Sequence, residues 1–192
     1  MRIIGGVAGG LILKAPKGLD VRPTPDLVRQ ALFNSLGTRV VGARVLELFG
    51  GTGALSLECL SRGAREALCI EISPKHTRII EQNFAAMKLP ADSFHARVQD
   101  VFTALPQLAQ AGEQFDLVMA DPPYGEKNVG RRSESFAQRL LDDENLPCVV
   151  ASGGLFVLGH ARRDTLTLPE RWHGRKFMKH GDSVMRFLEK VE

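Results

Sequence analysis

The sequence of 192 residues contains few cysteines and no long apolar run. Cys59, Cys69 and Cys148 are odd in number, and no two of them form a Cys-x-x-Cys pair, which argues against a disulfide framework or a cysteine zinc site. No apolar stretch approaches the roughly 18 residues that a membrane-spanning helix requires. The N-terminus is interrupted by glycines and lacks a signal-peptide cleavage pattern. We therefore expect a cytoplasmic protein that has no membrane association.

The sequence also lacks a large excess of either charge, because its formal net charge is only +3. The positive charges are nevertheless concentrated near both ends. Residues 1–39 hold six Lys and Arg against two acids, and eight basic residues face five acids from residue 160 onwards. Such ends fit a polyanionic partner that approaches one face of the protein. A solvated basic surface has the same composition, so charge alone does not decide between the two.

Strand patterns alternate with helix patterns from Ala43 onwards. Four strand–helix units are followed by a fifth strand and by a hairpin around Gly181 and Asp182. This order predicts an α/β fold with a parallel sheet and an antiparallel C-terminal edge. Residues 1–36 differ from the rest, since short strands punctuated by glycine precede one helix that Thr24 or Asp26 can cap.

Three predicted strand ends carry glycines or acids, at the sheet edge where α/β proteins bind ligands. Glu47 ends the first strand and precedes a glycine-rich turn at residues 49–53, which matches neither a P-loop nor a good dinucleotide fingerprint. Glu71 ends the second strand, 20 residues after Gly51, where an acid can accept the hydroxyls of a ribose. Asp100 ends the third strand and can accept an adenine amine.

These strand ends together predict a nucleoside cofactor that is cationic and has no phosphate, namely S-adenosylmethionine. Each feature alone has a simpler explanation, because glycines also serve packing and acids also cap helices or face solvent. The expected cofactor-binding residues are Glu47, Phe49, Gly50, Gly51, Gly53, Glu71, Ile72, Asp100, Val101 and Asp121.

The fourth predicted strand is followed by Asp121, Pro122, Pro123 and Tyr124. The Asp121 carboxylate and the Pro122 carbonyl can accept both protons of an exocyclic amine, which directs the nitrogen lone pair at a methyl donor. Prolines fix the backbone and remove competing N–H donors, and Tyr124 offers a flat face on which a base can stack. We expect Asp121, Pro122 and Tyr124 to be catalytic, although a proline turn capped by Asp121 has the same sequence.

No metal is expected at this site. Methyl transfer requires none, and His160, His173 and His180 do not have the spacing of zinc ligands. We interpret them as strand or surface histidines.

With these motifs the chain resembles the bacterial RsmD-type 16S rRNA (guanine-N2)-methyltransferases, a family of class I S-adenosylmethionine-dependent methyltransferases. The resemblance extends along nearly the whole chain. It rests on RIIGG at 2–6, RPT at 22–24, VR at 28–29, ALFN at 31–34, ELFGGTGAL at 47–55, LSRGA at 60–64 and DPPY at 121–124.

The resemblance implies a Rossmann-like fold with a seven-stranded, mostly parallel sheet and an antiparallel C-terminal hairpin. Residues 37–192 would form the methyltransferase domain, and residues 1–36 a basic extension that faces RNA or the cofactor. The implied reaction is methyl transfer to N2 of a guanine in 16S rRNA, within the small ribosomal subunit or an assembly intermediate. The expected RNA-binding residues are Arg22, Thr24, Arg29, Lys127, Arg131 and Arg132.

Three positions depart from the family pattern. The family usually has Asp where this chain has Glu47, and Ala where it has Gly50. Residues 8–12 read AGGLI where the family usually has a basic turn, so two positive charges are missing from a segment expected to meet RNA or cofactor.

Two other functions fit the same residues. The first is an adenine-N6 methyltransferase on DNA or RNA, because the geometry of its amine is similar. The second is a non-catalytic RNA-binding or ribosome-assembly factor with a vestigial pocket. The complete set of Glu47, Glu71, Asp100 and Asp121 disfavours that second function.

Overall fold

The computed structural model describes residues 1–15, 25–128 and 131–191. The chain divides into two compact units, Met1–Ala104 and Leu105–Glu192. The predicted division into an N-terminal extension at residues 1–36 and a methyltransferase domain at residues 37–192 stays a prediction. Among the described residues, no helix is long and apolar enough to cross a membrane.

In the first unit, parallel strands alternate with helices. The strands are β1 (Arg44–Leu48), β2 (Glu66–Glu71) and β3 (Phe94–Val98), in the order β3-β2-β1. The helices are α1 (Asp26–Leu36), α2 (Ala54–Ser61), α3 (Pro74–Met87) and α4 (Val101–Gln110), which continues past the boundary of the unit. The register places Leu48 beside Ile70 and Glu71 beside Val98, so the carboxyl ends of the strands lie side by side.

Local sequence explains where these elements begin and end. Val45, Leu46 and Leu48 of β1 are fully buried, as expected for a parallel strand that is covered on both faces. Helix α3 begins at Pro74, and the Ser73 hydroxyl accepts a hydrogen bond from the His76 N–H at 3.3 Å.

The N-terminal segment is attached to α2 by a buried carboxylate. Glu58 is fully buried and accepts hydrogen bonds from the backbone N–H of Ile4 at 2.7 Å and of Gly5 at 2.9 Å. The Ile3 side chain is also fully buried. Residues 2 and 12 form an isolated antiparallel bridge, which closes the glycine-containing turn between them.

In the second unit, parallel pairing gives way to antiparallel pairing. Its strands are β4 (Phe115–Ala120), β5 (Val150–Ala161), β6 (Trp172–His180) and β7 (Ser183–Lys190), in the order β4-β5-β7-β6. Strands β4 and β5 are parallel, whereas β7 is antiparallel to both β5 and β6. The short helices α5 (Phe136–Asp142) and α6 (Leu146–Val149) precede β5. Gly181 has a φ of 55° and forms the tight turn of the hairpin.

The alternation of strands and helices was predicted correctly, including the C-terminal hairpin around Gly181. The helix of the fourth strand–helix unit is interrupted and consists of α5 and α6. Between them, Asp143 accepts hydrogen bonds from the N–H groups of Asn145 and Leu146, before Pro147. Asp26 lies in the first turn of α1 and does not cap it. Thr24, the other cap candidate, lies outside the described residues.

The prediction that Arg29 contacts RNA phosphate is wrong, because Arg29 is fully buried. Its Nη2 donates to the Arg2 carbonyl oxygen and to Asp26 Oδ1, and its Nη1 lies 3.6 Å from Glu58 Oε2. The guanidinium therefore holds the N-terminal segment against α1 and α2. A basic residue beside an apolar stripe resembles a surface residue in sequence. Its pairing with Asp26, three residues earlier, is also found on exposed helix faces, and the buried partner Glu58 lies far away along the chain.

We predict that Glu58→Gln destabilises the protein by about 3 kcal/mol, because it removes the buried carboxylate beside Arg29 Nη1 and leaves the buried guanidinium with Asp26 as its remaining acidic partner. The measurement is urea unfolding, together with hydrogen exchange of the Ile4 and Gly5 amides. Glu66→Gln is the matched control, since the Glu66–Arg44 pair is partly exposed and its loss should cost about 1 kcal/mol or less. Equal losses in the two variants would contradict the structural role of Glu58.

Candidate functional site

The turn that follows β1 has a backbone that only certain residues tolerate. Phe49, Gly51 and Gly53 have φ values of 60°, 57° and 71°, which lie in the left-handed region. A Cβ on Gly53 would lie 2.5 Å from Ile80 Cγ2 of α3. Glycine is therefore required at position 53 of the predicted turn, both by the backbone angle and by close packing against Ile80.

Gly50 has a different reason to be glycine. A Cβ at this position would lie 2.3 Å from the Sγ of Cys69, which is fully buried in β2. Burial raises the pKa of the Cys69 thiol, so this side chain serves as a neutral packing group. Cys69 thus occupies the volume that the Cβ of an alanine at position 50 would need, which explains why this chain has Gly50 instead.

The Glu47 carboxylate is directed at the first turn of α2. It is buried and accepts hydrogen bonds from the N–H of Leu55 at 3.3 Å, from the N–H of Ser56 at 3.0 Å, and from the Ser56 hydroxyl. Burial raises its pKa to about 7, against the opposing effect of these donors. Glu47 therefore holds the first turn of α2 by its backbone N–H groups, and direct contact between Glu47 and a ligand stays a prediction.

Glu71 joins the ends of two strands. Its Oε2 accepts a hydrogen bond from the Gly51 N–H at 2.7 Å, and its Oε1 accepts one from the Ser73 N–H at 2.8 Å. His76 Nδ1 lies 3.5 Å from the same Oε1. The carboxylate is 6% exposed and stands at the carboxyl edge of the sheet, where its remaining lone pairs can receive ribose hydroxyls.

The neighbouring residues at this edge suit a flat heterocycle. Ile72 follows Glu71 with 65% of its surface exposed, which is unusual for a large apolar residue at a sheet edge. Asp100 is half-buried, and its Oδ1 accepts a hydrogen bond from the Thr103 N–H at 3.1 Å. Val101 is buried, and the half-buried Phe49 ring packs edge-on against Phe102. Asp100 thus caps α4, as the simpler explanation held, whereas Glu71 connects the glycine turn to the residue that caps α3. Both acids lie at the carboxyl edge of the sheet, where a ligand was predicted.

The second unit contains the predicted amine site. Asp121 follows β4 and packs on β5, because a Cβ on Gly159 would lie only 2.3 Å from Asp121 Oδ1. Pro122 is buried and Tyr124 is half-buried. The Tyr124 hydroxyl is hydrogen-bonded to Ser183 Oγ at 2.6 Å, at the start of β7. Ser183 therefore fixes the ring whose face was predicted to stack on a base.

A cavity of about 340 Å³ adjoins this stretch. Such a volume is within the range of small-ligand pockets. Its lining includes Pro123, Tyr124, Gly125, Asn128, Ser135, Phe136 and the three arginines Arg131, Arg132 and Arg139.

Two amide side chains connect the cavity loop to the segment after β5. Asn128 donates to the Thr165 carbonyl oxygen at 3.0 Å and accepts from the Thr165 N–H at 2.9 Å. Gln138 makes the same pair of hydrogen bonds with the backbone of Thr167, at 2.9 and 2.8 Å. These paired contacts define the position of the loop wall.

Gly125 lies between this wall and a buried acid. A Cβ on Gly125 would lie 2.4 Å from Ser135 Cβ and 3.1 Å from Asp164 Oδ2. Within the described residues, both oxygens of Asp164 are buried without a hydrogen-bond partner. Gly125 is therefore confined by packing, and the loop that follows Tyr124 cannot carry a larger residue there without moving.

The remaining predicted RNA contacts fall into two groups. Lys127 and Arg131 are exposed beside the cavity, and Arg132 is 53% exposed in an ion pair with Asp142 at 2.6 Å. Arg22 and Thr24 lie outside the described residues.

His160 is a strand histidine, as predicted. Its Nδ1 lies 2.9 Å from the Ala161 carbonyl oxygen, and its Nε2 accepts from Arg186 Nε at 3.0 Å. Burial and the Arg186 charge lower its pKa, so the ring is neutral with a proton on Nδ1. In the part of the chain that the structure describes, no three His, Cys, Asp or Glu residues cluster as a metal site would require.

Sequence reasoning missed Gly159, Ser183, Asn128 and Gln138. The only sequence signal for Gly159 and Ser183 is their position near the carboxyl end of β5. Gly159 lies two residues before that end, and Ser183 pairs with Ala161. The two amides are ordinary polar residues in sequence, and their partners become known only from the fold.

We predict a pH-dependent stability contribution from Glu47. Its pKa is raised from 4.5 to about 7, so the folded protein holds this proton more tightly than the unfolded chain. The contribution is nearly zero at pH 4.5 and grows unfavourable up to pH 7, where it reaches about 3 kcal/mol. The stability of Glu47→Gln relative to wild type should rise by that amount over this range, as measured by urea unfolding.

Glu81→Gln is the control for this experiment, because Glu81 is exposed on α3. Its stability difference from wild type should stay level with pH. A level difference for Glu47→Gln as well would show that Glu47 is ionised in the folded protein throughout.

Comparisons with known proteins agree with this architecture. A family model described as "Conserved hypothetical protein 95" matches residues 1–189. Ribosomal RNA small subunit methyltransferase D of Escherichia coli (strain K12) is 40% identical over 190 residues, which cover 99% of this chain and 90% of that protein. The solved structure of yhhF from Escherichia coli is 31% identical, with a TM-score of 0.79 over 99% of this chain and 97% of that chain.

A more distant structure shares the fold alone. The protein SMU.776, solved in complex with SAH, is 14% identical, with a TM-score of 0.70 over 88% of this chain and 50% of that chain. The seven strands, their mixed pairing and these matches confirm the predicted fold class. The chain therefore has the Rossmann-like fold of the class I S-adenosylmethionine-dependent methyltransferases and belongs to the RsmD family.

Proposed function

We propose that this protein transfers the methyl group of S-adenosylmethionine to the exocyclic N2 of a guanine in small-subunit (16S) rRNA. The observation that carries the proposal is the Asp121-Pro122-Pro123-Tyr124 stretch at the end of β4, in a chain that belongs to the RsmD family. The substrate is rRNA within the small subunit or an assembly intermediate.

The first unit supplies the residues for the methyl donor. Glu71 accepts the ribose hydroxyls, Ile72 covers one face of the adenine, and Asp100 accepts the adenine amine. The turn at residues 49–53 brings its backbone close to the methionine part of the molecule. S-adenosylmethionine supplies an electrophilic methyl group on a sulfonium. The remaining predicted contacts of Glu47, Val101 and Asp121 belong to this proposal.

The second unit supplies the residues for the acceptor. Guanine N2 is a weak nucleophile, because its lone pair is delocalised into the ring. The Asp121 carboxylate and the Pro122 carbonyl each accept one N2 proton, which favours a pyramidal nitrogen with its lone pair directed at the methyl carbon. The N–CH₃ bond would form as the S–CH₃ bond breaks, which would leave the donor as the neutral thioether S-adenosylhomocysteine, and one N2 proton would pass to solvent. Positioning of this kind accounts for much of the rate in such reactions.

The cavity beside Tyr124 is our candidate for the extruded base. A base stacked on Tyr124 would remain in contact with the arginine-rich wall of the cavity. Lys127, Arg131 and Arg132 would contact neighbouring phosphates, and residues 1–36 would add contacts as a basic extension. Phosphate contacts position the RNA, whereas the cavity selects the base.

The decisive experiment is mass mapping of small-subunit rRNA from cells with and without this protein. We expect one N2-methylguanine to disappear in its absence and to return when purified protein and S-adenosylmethionine are added. Loss of an N6-methyladenine instead would replace the proposed acceptor. An unchanged modification pattern, with no methylation in vitro, would leave only the assembly-factor function.

We predict that Asp121→Asn lowers kcat by roughly a hundredfold, because the charged acceptor of the N2 proton is replaced by a neutral amide that has a competing NH₂ donor. Affinity for S-adenosylmethionine, measured by calorimetry, should remain within a few-fold of wild type. Asp116→Asn is the matched control on the same strand, where the side chain is exposed. Full turnover by the Asp121 variant would remove this carboxylate from the mechanism.

We also predict that Gly159→Ala lowers kcat, since its new Cβ would displace the Asp121 carboxylate. The effect should be roughly tenfold or more and should shrink in an Asp121→Asn background, because both changes act on one group. Single-turnover methylation of rRNA by the two single variants and the double variant measures this coupling. Strictly additive effects would mean that Gly159 acts elsewhere.

A further inference from the structure

We propose that strand β6 and the exposed Phe177 ring form a second RNA-docking surface, which binds a single-stranded or looped segment of the substrate. This inference rests on the proposed function only in taking RNA as the substrate. It adds an interaction surface that is separate from the amine site and from the cavity beside Tyr124.

Strand β6 is the outer strand of its unit and pairs with β7 alone among the described strands. Trp172 is buried, but residues 173–177 are all exposed, and so is Lys179. Residues 177 and 179 share one face of the strand, while 176 and 178 share the other. Both faces and one edge of β6 are thus open to a ligand.

The charge of this ribbon is strongly positive. Residues 171–191 contain six Lys and Arg against two acids, so the net charge of this segment alone exceeds the +3 of the whole chain. Of the two acids, Glu189 pairs with Arg175 at 2.6 Å. Strand β6 itself contains no acid, so a polyanion meets no repulsive group along it.

An aromatic ring lies at the centre of this charge. Phe177 is 58% exposed, although large apolar side chains on an edge strand favour aggregation. Lys179 Nζ lies 5.1 Å from the centroid of the Phe177 ring, and Lys176 Nζ lies 5.9 Å from that of Phe187. A flat ring with a cation beside it matches the base and phosphate of one nucleotide. This combination is typical of surfaces that bind single strands by stacking.

Protection of the edge by lysines is the simpler explanation for the charges, since Lys residues discourage pairing between edge strands. It does not explain the exposed phenyl ring, which would weaken such protection. An unpaired RNA segment uses both features, because bases stack on the ring while phosphates meet the lysines. Duplex RNA offers no exposed base face and fits this surface less well.

The experiment compares RNA binding by the wild-type protein and four variants of the full chain. The probes are a fluorescein-labelled single-stranded fragment of small-subunit rRNA and its duplex form, titrated at several salt concentrations. Lys176→Gln/Lys179→Gln should lower the slope of log K against log salt by about 1.4 for the single strand. Phe177→Ala should weaken single-strand binding about tenfold and leave the slope unchanged.

Lys88→Gln/Arg97→Gln is the matched control, since it removes two exposed positive charges from the first unit. It should change neither quantity beyond the weak effect of net charge. Lys176→Arg/Lys179→Arg keeps the charge and should restore the salt slope, which separates charge from folding. In each variant, affinity for S-adenosylmethionine should equal that of wild type.

The outcomes separate this inference from the proposed function. If wild type methylates rRNA and the β6 variants keep its affinity and salt slope, the surface does not bind RNA. Aggregation of the variants with unchanged affinity in the soluble fraction would show that β6 only protects the edge. If wild type itself neither methylates nor binds rRNA, the proposed function fails first. Equal weakening by the control pair would reduce the effect to net charge and overturn the proposal.

Discussion

Buried carboxylates that accept backbone N–H groups hold the first unit in its functional shape. Turns leave amide groups without partners, and buried amides must be hydrogen-bonded. Glu71 binds the amides of Gly51 and Ser73, Glu47 binds those at the start of α2, and Glu58 binds two amides of the N-terminal segment. The glycine turn, the start of α3 and the attachment of residues 1–15 all depend on these acids. The edge proposed to bind the cofactor is therefore held by contacts within the chain itself.

The same dependence explains which parts of the site could be predicted. Alternating periods of hydrophobicity locate β1, β2 and β4, and acids at their ends mark a ligand edge because parallel strands end together. Sequence cannot separate an acid that binds a ligand from one that accepts a hydrogen bond from nearby backbone. Glu71 and Asp100 both make such backbone contacts at the edge where the ligand was predicted. The sequence predicts Arg29 at the surface, because the buried carboxylate that lies beside its guanidinium belongs to Glu58, on another helix.

The sequence alone also could not predict which side chains occupy the space next to a glycine. Gly50 departs from the usual alanine, and Cys69 on the adjacent strand occupies the freed volume. Gly159 lies opposite Asp121 on the neighbouring strand, where any side chain would compete with the carboxylate for space. Each pair is close only because β2 follows β1 and β5 follows β4 in the sheet. Motif reading finds Gly50 and Asp121, but pairing between strands is needed to explain them.

In the proposed function, the amine site and the proposed RNA surfaces contribute differently to specificity. Two acceptors at Asp121 and Pro122 suit any exocyclic amine, so they cannot by themselves distinguish guanine from adenine. Selection of one nucleotide among many must then come from contacts that place a particular RNA segment at the cavity. Lys127 and Arg131 lie beside that cavity, whereas β6 presents its charges and Phe177 on an outer strand. The proposed contacts of β6 would recognise the fold of the RNA, since they would require an unpaired segment at a set distance from the methylated base. If RNA affinity is distributed over these proposed surfaces, the absence of basic residues at Gly9 and Gly10 matters less.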